Sequence, residues 1–561
     1  MTGPLTGVNA DAVARWTICS RSPLTGFWGD ANVGGYFGAE LKSAGYDGVV
    51  ITGAAAAPVY VAIHDGEVEI RDAADYWGAD VYDTTDRLTG DLRREGGRAG
   101  QVLAIGPAGE RLVRYAAIAN RKRHWAGRAG LGAVWGAKRL KAIYVRGTGS
   151  VPIAHPERFS ALRAELKALY ADDLLIEALR AFGTIASIDL GTMTGDVPYQ
   201  NWRSGHWNGI DELSSVAYQE RIYSGSAGCH RCGVRCKREA RVTEGPYAGV
   251  DGPGPEYETL AVFGPLCLNS NLEAIAKANE LCNRLGLDTM TCGSTIAFAL
   301  ECIENGLLDA AEWPGPTADW GDHEGIVALV EQIGRREGLG DLLAEGSARV
   351  AARLGGRAFE FVSTVKGLEA PMHDPRSAHG LGLAYGVSAR GACHNASLQY
   401  PIEPGGMFVE DVPDLAVELP EQSSVGKAAM NVATQDYGVF FAGCAGFCNL
   451  GARPLSAAQA VEMIDSVTGA GYTLEELLTV GRRVWLLTRG LSNLFGARAA
   501  DDNLPPRLLQ ALDEGPTAGG SPDMDLMLSE FYKLRGLDER GIPRRDVLEA
   551  VGLRDLADLL E

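Results

Sequence analysis

The chain has 561 residues, of which 46% are hydrophobic and 22% charged, and this is the composition of an ordinary globular protein. At about 100 to 200 residues per domain, its length predicts three or four domains. The 52 basic and 72 acidic residues give a net charge of −20, which argues against binding to nucleic acid or to an anionic membrane. The sequence shows no signal peptide and no apolar run of the ~18 residues that a membrane helix needs, so we expect a cytoplasmic protein.

The first 150 residues are predicted to be rich in β-strand. Residues 48–52 form a run that contains several β-branched side chains. Residues 59–64 and 67–71 flank Asp65-Gly66, which is a typical turn sequence of a tight hairpin. Both features indicate strands of one sheet.

Helical patterns dominate after residue 150. His155-Pro156-Glu157 opens a helical stretch. Ser270 and Glu273 have the spacing of a capping box, Gly286 is suited to end the helix that follows, and Asp288 then starts another helix. The sequence therefore predicts an α+β protein, with a β-rich domain over residues 1–150 and two mainly helical domains over residues 151–360 and 361–561.

The clearest chemical motif is Cys229-x-x-Cys232-x-x-x-Cys236. A compact turn can aim these three thiols at one point, and soft thiolate ligands select zinc or an iron–sulfur cluster. The chain has eleven cysteines, an odd number that argues against a disulfide framework. Four others lie in apolar sequence and are expected to be buried: Cys267, Cys282, Cys292 and Cys302.

The fourth ligand of the cysteine motif must come from elsewhere in the chain. Cys444 and Cys448 are two candidates in a turn-prone, apolar segment. A structural zinc site completed by His230 or a remote cysteine explains the spacing equally well. The motif is also surrounded by basic residues, which are either a solvated surface run or a docking patch for an acidic electron carrier: Arg231, Arg235, Lys237, Arg238 and Arg241.

Several segments together resemble one known family. They are Gly3-Pro4-Leu5-Thr6-Gly7, Ser20-Arg21-Ser22-Pro23-Leu24-Thr25-Gly26, Asn32-Val33-Gly34-Gly35, Gly127-Arg128-Ala129-Gly130-Leu131-Gly132-Ala133-Val134, Pro255-Glu256-Tyr257-Glu258-Thr259-Leu260, the three-cysteine motif, Leu285-Gly286-Leu287-Asp288 and Ala389-Arg390-Gly391-Ala392-Cys393-His394. In this order, and over nearly the whole chain, they resemble the aldehyde ferredoxin oxidoreductases.

The resemblance implies a set of cofactors. Members of this family hold one [4Fe-4S] cluster beside one tungsten or molybdenum atom that two pterin dithiolenes (bis-molybdopterin) chelate, with Mg²⁺ expected at the pterin phosphates. Glycine-rich turns let backbone N–H groups approach such phosphates, and arginine offers a fixed fork for anions. By position, the pterin contacts in the first domain would be Arg15, Asn32, Gly34, Arg128 and Ala129.

Each helical domain of the family presents a motif of the form Asp-x-x-Gly-Leu-Asp or Asp-x-x-Gly-Leu-Cys to one pterin. The first motif here has asparagine in place of the leading aspartate, and its expected contacts are Asn283, Gly286, Leu287 and Asp288. The second motif is Gly443-Cys444-Ala445-Gly446-Phe447-Cys448, in which Phe447 replaces the leucine. Cys448 takes the place of the fourth cluster ligand, whereas Cys444 falls where the family often has a residue that binds no metal.

By the same resemblance, Glu258 and His394 would line the metal pocket. Desolvation would raise the pKa of Glu258 and suit it for proton transfer, while His394 could stabilise charge that develops on the substrate carbonyl. Glu256 could exchange roles with Glu258. His373 and His379 are close enough in sequence to enter the pocket, although they are weaker candidates.

The resemblance implies oxidation of an aldehyde to a carboxylic acid, with electrons passed through the cluster to ferredoxin or a ferredoxin-like subunit. The alternatives are a ring-reducing or other non-aldehyde member of the family, and a non-catalytic subunit that holds the cluster or zinc. Residues 277–280 lack the glutamate and histidine that bind a bridging iron in some members, so a possible homodimer would lack that metal. Family chains usually carry several tens of residues before the Gly-Pro-Leu-Thr-Gly segment, so this chain is expected to be short at its start.

Overall fold

The computed structural model describes residues 1–96 and 98–561, and it confirms the predicted α+β class. The larger sheet lies in the amino-terminal part, and helices dominate the rest of the chain. Among the described residues, no helix combines the length and the apolar character needed to cross a membrane.

In the described residues of the amino-terminal part, eight strands form the sheets. They are β1 (Trp16–Arg21), β2 (Trp28–Val33), β3 (Val59–His64), β4 (Glu67–Asp72), β5 (Gln101–Ala104), β6 (Ile118–Asn120), β7 (His124–Ala126) and β8 (Leu140–Arg146). Strands β1 and β2 pair as an antiparallel ribbon. The other six form a mixed sheet in the order β4-β3-β8-β5-β6-β7, in which β3 and β8 run parallel. The helices described in this part are α1 (Phe37–Ser43), α2 (Val81–Gly96), α3 (Pro107–Glu110) and α4 (Leu131–Ala137), of which α1, α2 and α4 pack on the sheet.

One of the two strand predictions for this part is confirmed. Strands β3 and β4 form the expected hairpin, with His64 opposite Glu67 and with Asp65 and Gly66 at φ values of 45° and 95°, as a tight two-residue turn requires. The prediction of a strand at residues 48–52 is wrong. The run lies at the surface beside the sheet, where Val50 is 85% exposed.

The middle of the chain is mainly helical. Its helices are α5 (Pro156–Asp172), α6 (Leu174–Phe182), α7 (Ala186–Thr194), α8 (Ser215–Arg221), α9 (Tyr257–Phe263), α10 (Leu272–Leu285), α11 (Thr289–Glu304), α12 (His323–Arg335), α13 (Leu339–Leu343) and α14 (Ser347–Leu354). A small antiparallel sheet in the order β11-β10-β9 interrupts them, formed by β9 (Tyr223–Ala227), β10 (Lys237–Arg241) and β11 (Asp251–Pro253).

The remaining part begins with a short two-stranded ribbon of β12 (Thr364–Val365) and β13 (Leu368–Glu369). Its helices are α15 (His379–Val387), α16 (Gln399–Ile402), α17 (Lys427–Gly438), α18 (Ala457–Thr468), α19 (Leu474–Leu494), α20 (Pro506–Leu509), α21 (Met524–Arg535), α22 (Arg545–Ala550) and α23 (Arg554–Leu560). A π-helical segment, Val439–Ala445, directly continues α17.

The capping box predicted for α10 is wrong. Asn271, one residue later than expected, caps the helix by accepting the N–H of Ala274 at 2.9 Å. Glu273 is instead drawn into an ion pair with Arg221, 2.6 Å away, so its carboxylate does not reach back to Ser270. Serine and asparagine are both good helix caps, and the ion pair between Glu273 and Arg221 favours the cap at Asn271 over the one at Ser270.

The carboxyl end of α10 docks on the amino-terminal part. Gly286 ends the helix with a φ of 80°, as predicted, and its carbonyl accepts the N–H of Ala117 at 2.8 Å. A Cβ at Gly286 would lie 2.8 Å from the backbone nitrogen of Gly106, so this close approach requires glycine. Asp288 caps α11, as predicted, and its N–H bonds to the carbonyl of Tyr115 at 3.0 Å.

A second junction joins the first 15 residues to the segment after the π-helix. Its main-chain hydrogen bonds run from Leu5 to Ala445 (3.2 Å), from Arg15 to Gly446 (3.1 Å) and from Cys448 to Ala12 (2.7 Å). Cys448 is therefore held against the amino-terminal part although it lies more than 400 residues away in sequence.

Candidate functional site

The three-cysteine motif forms the connection between β9 and β10. Because these strands pair antiparallel, with Lys237 opposite Ala227, the two ends of the loop lie close together. Arg231 and Arg235 both have left-handed backbones, with φ values of 54° and 50°, which turn the chain sharply between the cysteines. The loop can thus aim its three thiols at one side.

The three thiols share one cavity of about 110 Å³ with a fourth cysteine. Of the two distant candidates, Cys448 lines this cavity and Cys444 does not. His230, the alternative zinc ligand, packs its ring edge-on against Tyr36 at 6.2 Å and is not part of the cavity wall. The side chains with polar or ionisable groups that do line it are Arg15, Asn32, His124, Trp125, Cys229, Cys232, Arg235, Cys236, Lys237, Glu256 and Cys448. The four cysteines predicted to be buried elsewhere, Cys267, Cys282, Cys292 and Cys302, have no exposed surface.

The charges around these thiols suit a metal group that is bound by thiolates. Burial raises the pKa of Cys229 and Cys236, and it raises that of Cys232 to about 11. Burial acts on Cys448 in the same direction, but the Arg15 guanidinium, 3.3 Å from its Sγ, and the backbone N–H groups of Gly451 and Leu450 together outweigh it, so the pKa is lowered. A bound cationic metal group would let all four deprotonate, and four thiolates are the ligand set of a cubane cluster and also of a structural zinc site.

Strand β2 connects this cavity with a second polar site. A Cβ at Gly34 would lie 2.6 Å from the Sγ of Cys229, so the backbone passes directly beside the thiol. Asn32 accepts a hydrogen bond from Arg15 through its carbonyl at 3.4 Å. At the other end, the carbonyl of Asp30 accepts a hydrogen bond from Arg390 at 2.6 Å. From Asp30 to Gly34 the strand spans about 13 Å, so the two sites are close neighbours.

Two buried arginines mark the second site. Arg128 lies 3.5 Å from the carboxylate of Asp288 and donates to the carbonyl of Ala392 at 3.4 Å. The Nε atoms of Arg128 and Arg390 are buried and make no hydrogen bond within the described residues, although that of Arg128 is the atom that faces Asp288. A buried guanidinium with an unused donor is costly unless an anion meets it, so these side chains fit the phosphates of a pterin cofactor.

The backbone at Ala129 is also unusual. Its φ of 68° is rare for a residue with a Cβ, and its carbonyl accepts the hydroxyl of Ser22 at 2.9 Å. This hydrogen bond holds the turn that presents Arg128, so the predicted contact segment is fixed by local contacts.

The remaining predicted pterin contacts have packing roles. Leu287 and Phe447 are buried in apolar clusters, and the Phe447 ring stacks on Phe441 at 4.4 Å. Asn283 lies on the buried face of α10, one turn before Gly286. Contact of these residues with a pterin stays a prediction.

The structure brings Glu258 and His394 together. Glu258 stands on the first turn of α9, and His394 lies in the segment between α15 and α16. The Oε1 of Glu258 is 3.3 Å from the Nδ1 of His394, and neither atom has a hydrogen-bond partner among the described residues. Both side chains are 15% exposed as a whole, but these two unsatisfied atoms are themselves buried and lie beside each other.

His373 is the third member of this group. Its Nε2 lies 3.4 Å from Oε1 of Glu258, and its Nδ1 lies 2.7 Å from a carboxylate oxygen of Asp196. The ligand-type atoms of Glu258, His373 and His394 all lie within 4.8 Å of one another. His379 lies elsewhere, because its ring bonds to Ser424 at 3.0 Å, so its suggested entry into the pocket is wrong.

The protonation states within this group differ. Burial raises the pKa of Glu258, in the direction predicted, although His373 and the Met372 N–H oppose it. Burial lowers the pKa of His373, but the Asp196 carboxylate outweighs burial and the net shift is upward. Burial lowers the pKa of His394 well below its ordinary value, and the neighbouring His373, Arg128 and Arg390 add to this. A neutral His394 therefore stands beside a Glu258–His373 pair that can share a proton.

Glu256 does not exchange roles with Glu258. Its carboxylate accepts the Thr184 hydroxyl at 2.7 Å and lies 3.1 Å from Lys237, on the wall of the cysteine cavity. The turn that starts α9 sends the two glutamates to different sites.

Three residues of the second site were not predicted. Arg390 lies in the segment of residues 389–394, and its closeness in sequence to His394 was a usable signal. Asp196 follows a glycine in a loop, and Tyr400 lies in the four-residue helix α16. Neither of these two carries a readable sequence pattern.

The basic residues near the cysteine loop do not form one surface. Arg238 is buried and donates to carbonyl groups of residues 179–181, which corrects its assignment to a docking patch. Arg231 and Arg235 are exposed and line a depression of about 620 Å³ outside the loop, together with Arg163 and Lys167 of α5. The walls also include Cys229 and Cys232, so this depression leads from the surface to the thiols.

Comparisons with known proteins cover nearly the whole chain. The family described as "Aldehyde ferredoxin oxidoreductase, N-terminal domain" matches residues 1–147, and "Aldehyde ferredoxin oxidoreductase, domains 2 & 3" matches residues 161–553. The tungsten-containing aldehyde ferredoxin oxidoreductase of Pyrococcus furiosus is 38% identical over 559 residues, which are 99% of this chain and 89% of that protein. The protein of the same name from Thermococcus kodakarensis is 37% identical over 561 residues, with the same coverage.

Two further similarities involve proteins with other names. The aliphatic sulfonate oxidoreductase, WOR-like subunit, of Pyrococcus furiosus is 30% identical over 581 residues, covering 99% of this chain and 87% of that protein. The solved active site complex BamBC of benzoyl coenzyme A reductase with 1,5-dienoyl-CoA has a TM-score of 0.82 at 23% identity, covering 99% of this chain and 89% of that one. At that identity the likeness shows a shared fold.

Proposed function

Because the chain belongs to the aldehyde ferredoxin oxidoreductase family, whose members are oxidoreductases, we propose that it oxidises an aldehyde to the carboxylic acid at a bis-molybdopterin tungsten centre. Electrons would leave through one [4Fe-4S] cluster to a ferredoxin. The observation that carries the proposal is the pairing of a four-thiol cavity with the Glu258–His394 site across strand β2. Tungsten in preference to molybdenum follows the names of the relatives. Mg²⁺ at the pterin phosphates, a homodimer and a cytoplasmic location stay predictions.

Different residues of this chain would have different roles in the reaction. The pterin metal, when bound, supplies a Lewis acid and a two-electron acceptor. Arg390, with its unused Nε donor, and Arg128, which lies beside Asp288, would hold the anionic groups of the cofactor. Cys229, Cys232, Cys236 and Cys448 would hold the cluster.

The free side chains Glu258 and His394 would act on the substrate. Conversion of a hydrated aldehyde to an acid releases protons, and Glu258 has a free carboxylate oxygen and a raised pKa suited to accept one. His394 is neutral, and its unsatisfied Nδ1 can hydrogen-bond a substrate oxygen. The two atoms lie 3.3 Å apart, so they can act on one substrate carbon.

Metal analysis and an aldehyde panel test this function together. Protein purified without oxygen is expected to contain about four irons and about one tungsten or molybdenum per chain, and to reduce a viologen dye with aldehydes. Zinc alone, or iron without a pterin metal, would reject the proposal. The panel should include an aliphatic sulfonate and an aromatic CoA thioester, since similar proteins carry those names. Activity with one of these and none with any aldehyde would move the chain to another substrate class.

The electron carrier is proposed to dock at the depression over the cysteine loop. Arg163, Lys167, Arg231 and Arg235 make its rim basic although the chain as a whole is strongly acidic. An acidic ferredoxin would be attracted to this rim and would there lie beside the cavity of the thiols.

Charge reversal at this rim is expected to slow electron delivery. A Lys167→Glu, Arg231→Glu double variant should lower kcat/KM for ferredoxin about tenfold at low salt and leave the aldehyde-to-viologen rate unchanged. The matched control is Arg241→Glu, an exposed residue paired with Asp251 outside the depression. Equal losses with both acceptors, or an equal loss in the control, would contradict docking at this place.

A further inference from the structure

His373 occupies a position that the proposed catalytic pair alone does not explain. It is buried behind Glu258 and is held on both ring nitrogens, by Asp196 on one side and Glu258 on the other. Its ring also stacks on Tyr257 at a centroid distance of 4.7 Å and an angle of 20°, and it lies 3.9 Å from the ring of Tyr400. These contacts fix both the plane and the direction of the imidazole.

Asp196 is itself held in place. Its carboxylate accepts the hydroxyl of Tyr400 at 3.2 Å in addition to His373. Its carbonyl accepts the N–H of Asp374 at 2.8 Å, which ties the loop after α7 to the residue next to His373. An ionised carboxylate at Nδ1 orients the ring so that Nε2 points to Glu258.

We propose that His373 and Asp196 form a positioning and proton-transfer pair for Glu258. This inference rests on the proposed aldehyde oxidation. The hydrated aldehyde loses two electrons to the redox cofactor and two protons overall. One of these protons passes from the substrate hydroxyl to Oε1 of Glu258 and from there to Nε2 of His373, and the second goes to water.

The transfer leaves Glu258 ionised again and His373 as an imidazolium between two carboxylates. Such a cation would be costly in a buried place without Asp196, which is why the second carboxylate matters. After the product leaves, the proton returns to water along the exposed edge of Glu258. His394 cannot serve as this relay, because its neutral ring has Arg128 and Arg390 as cationic neighbours.

The groups that face His373 from each neighbouring element all enter the prediction of its pH dependence. They are Asp196 after α7, Tyr257 and Glu258 on α9, Tyr385 on α15, His394 before α16 and Tyr400 on α16. The two carboxylates favour the charged ring, whereas burial and the nearby His394 do not. Removing the Asp196 charge is therefore expected to lower the pKa of His373.

The Asp196→Asn variant tests the pair with little change of shape. We expect kcat to fall about tenfold to a hundredfold with little change in KM, since the residue does not touch substrate. Because the relay needs a neutral His373 to accept the proton, the acid limb of the kcat/KM profile reports protonation of the Glu258–His373 pair. The Asp196 charge favours the protonated form of both members, so without it the limb should move about one unit or more to lower pH. A purely structural role would lower the rate at every pH and leave the limb in place.

A direct measurement does not depend on activity. In the oxidised holoenzyme with isotope-labelled histidine, NMR titration should show His373 losing its proton at a lower pH in Asp196→Asn than in the parent, and a His373→Gln variant assigns the signal. Ser377→Ala is the matched control, because it removes a 3.4 Å contact to Asp196 without touching His373, and it should leave both the titration and the limb unchanged.

The outcomes separate this inference from the proposed function. A parent that oxidises no aldehyde ends the proposed function and with it the relay. An active parent whose acid limb and His373 titration are both unmoved by Asp196→Asn overturns the pair alone. Movement of both in Asp196→Asn, with neither moved in Ser377→Ala, supports the pair.

Discussion

Replacing Cys448 with alanine is expected to remove the [4Fe-4S] cluster, whereas the same change at Cys444 leaves it intact. Iron should fall from about four per chain to three or fewer in Cys448→Ala, because a cubane that loses one thiolate loses iron at that corner or does not assemble. The EPR signal of the reduced cluster should disappear at the same time. Chemical iron analysis and EPR of anaerobically purified protein make the measurement.

The structural reason lies in the different surroundings of the two thiols. Cys448 lines the cavity with the three motif cysteines, and Arg15 lowers its pKa, so it is prepared to bind as thiolate. Cys444 lies outside that cavity, and burial raises its pKa to about 11. Full iron in Cys448→Ala with loss in Cys444→Ala would reverse the assignment. Full iron in both variants would show that neither cysteine binds the cluster.

The sequence predicted which distant residues lie together better than it predicted local structure. The three-cysteine motif could be named because metal ligands leave spacing signals that survive in one sequence, whereas the choice of Cys448 over Cys444 came from the family resemblance. The resemblance placed Glu258 and His394 in one pocket, although more than 130 residues separate them. In the fold the two side chains lie 3.3 Å apart.

The failures have a common cause in tertiary contacts. The run at residues 48–52 has strand-forming residues but lies beside the sheet, and Glu273 has a capping position but pairs with Arg221. Helix and strand propensities contribute tenths of a kcal/mol to about 1 kcal/mol per residue to the free energy of folding. One ion pair, or one position at a sheet edge, can therefore override them. Asp196 could not be found for a related reason, since a single buried carboxylate in a loop gains its role only from the residue that it meets.

The Glu258→Gln variant is expected to keep its metals and lose most of its aldehyde oxidation. Glutamine keeps an acceptor oxygen for the N–H of Met372, which donates to Glu258 at 2.8 Å, so the local fold should survive. It cannot take a proton, however, and a general base is typically worth about 10² to 10⁴ in rate, so kcat should fall by that factor. Steady-state rates with a viologen acceptor, normalised to the measured tungsten content, give the comparison.

The matched control is Glu256→Gln, two residues away. Glu256 faces Lys237 and Thr184 on the wall of the cysteine cavity, so its amide variant should oxidise aldehydes within about tenfold of the parent. If Glu258→Gln kept parental activity and Glu256→Gln lost most of it, the proton-transfer role would belong to Glu256 and not to Glu258.

The pH dependence of the parent gives a further check. Since burial holds the pKa of Glu258 above its ordinary value, the parental rate should fall as the pH drops through that raised pKa, and the Glu258→Gln variant should lack this acid limb.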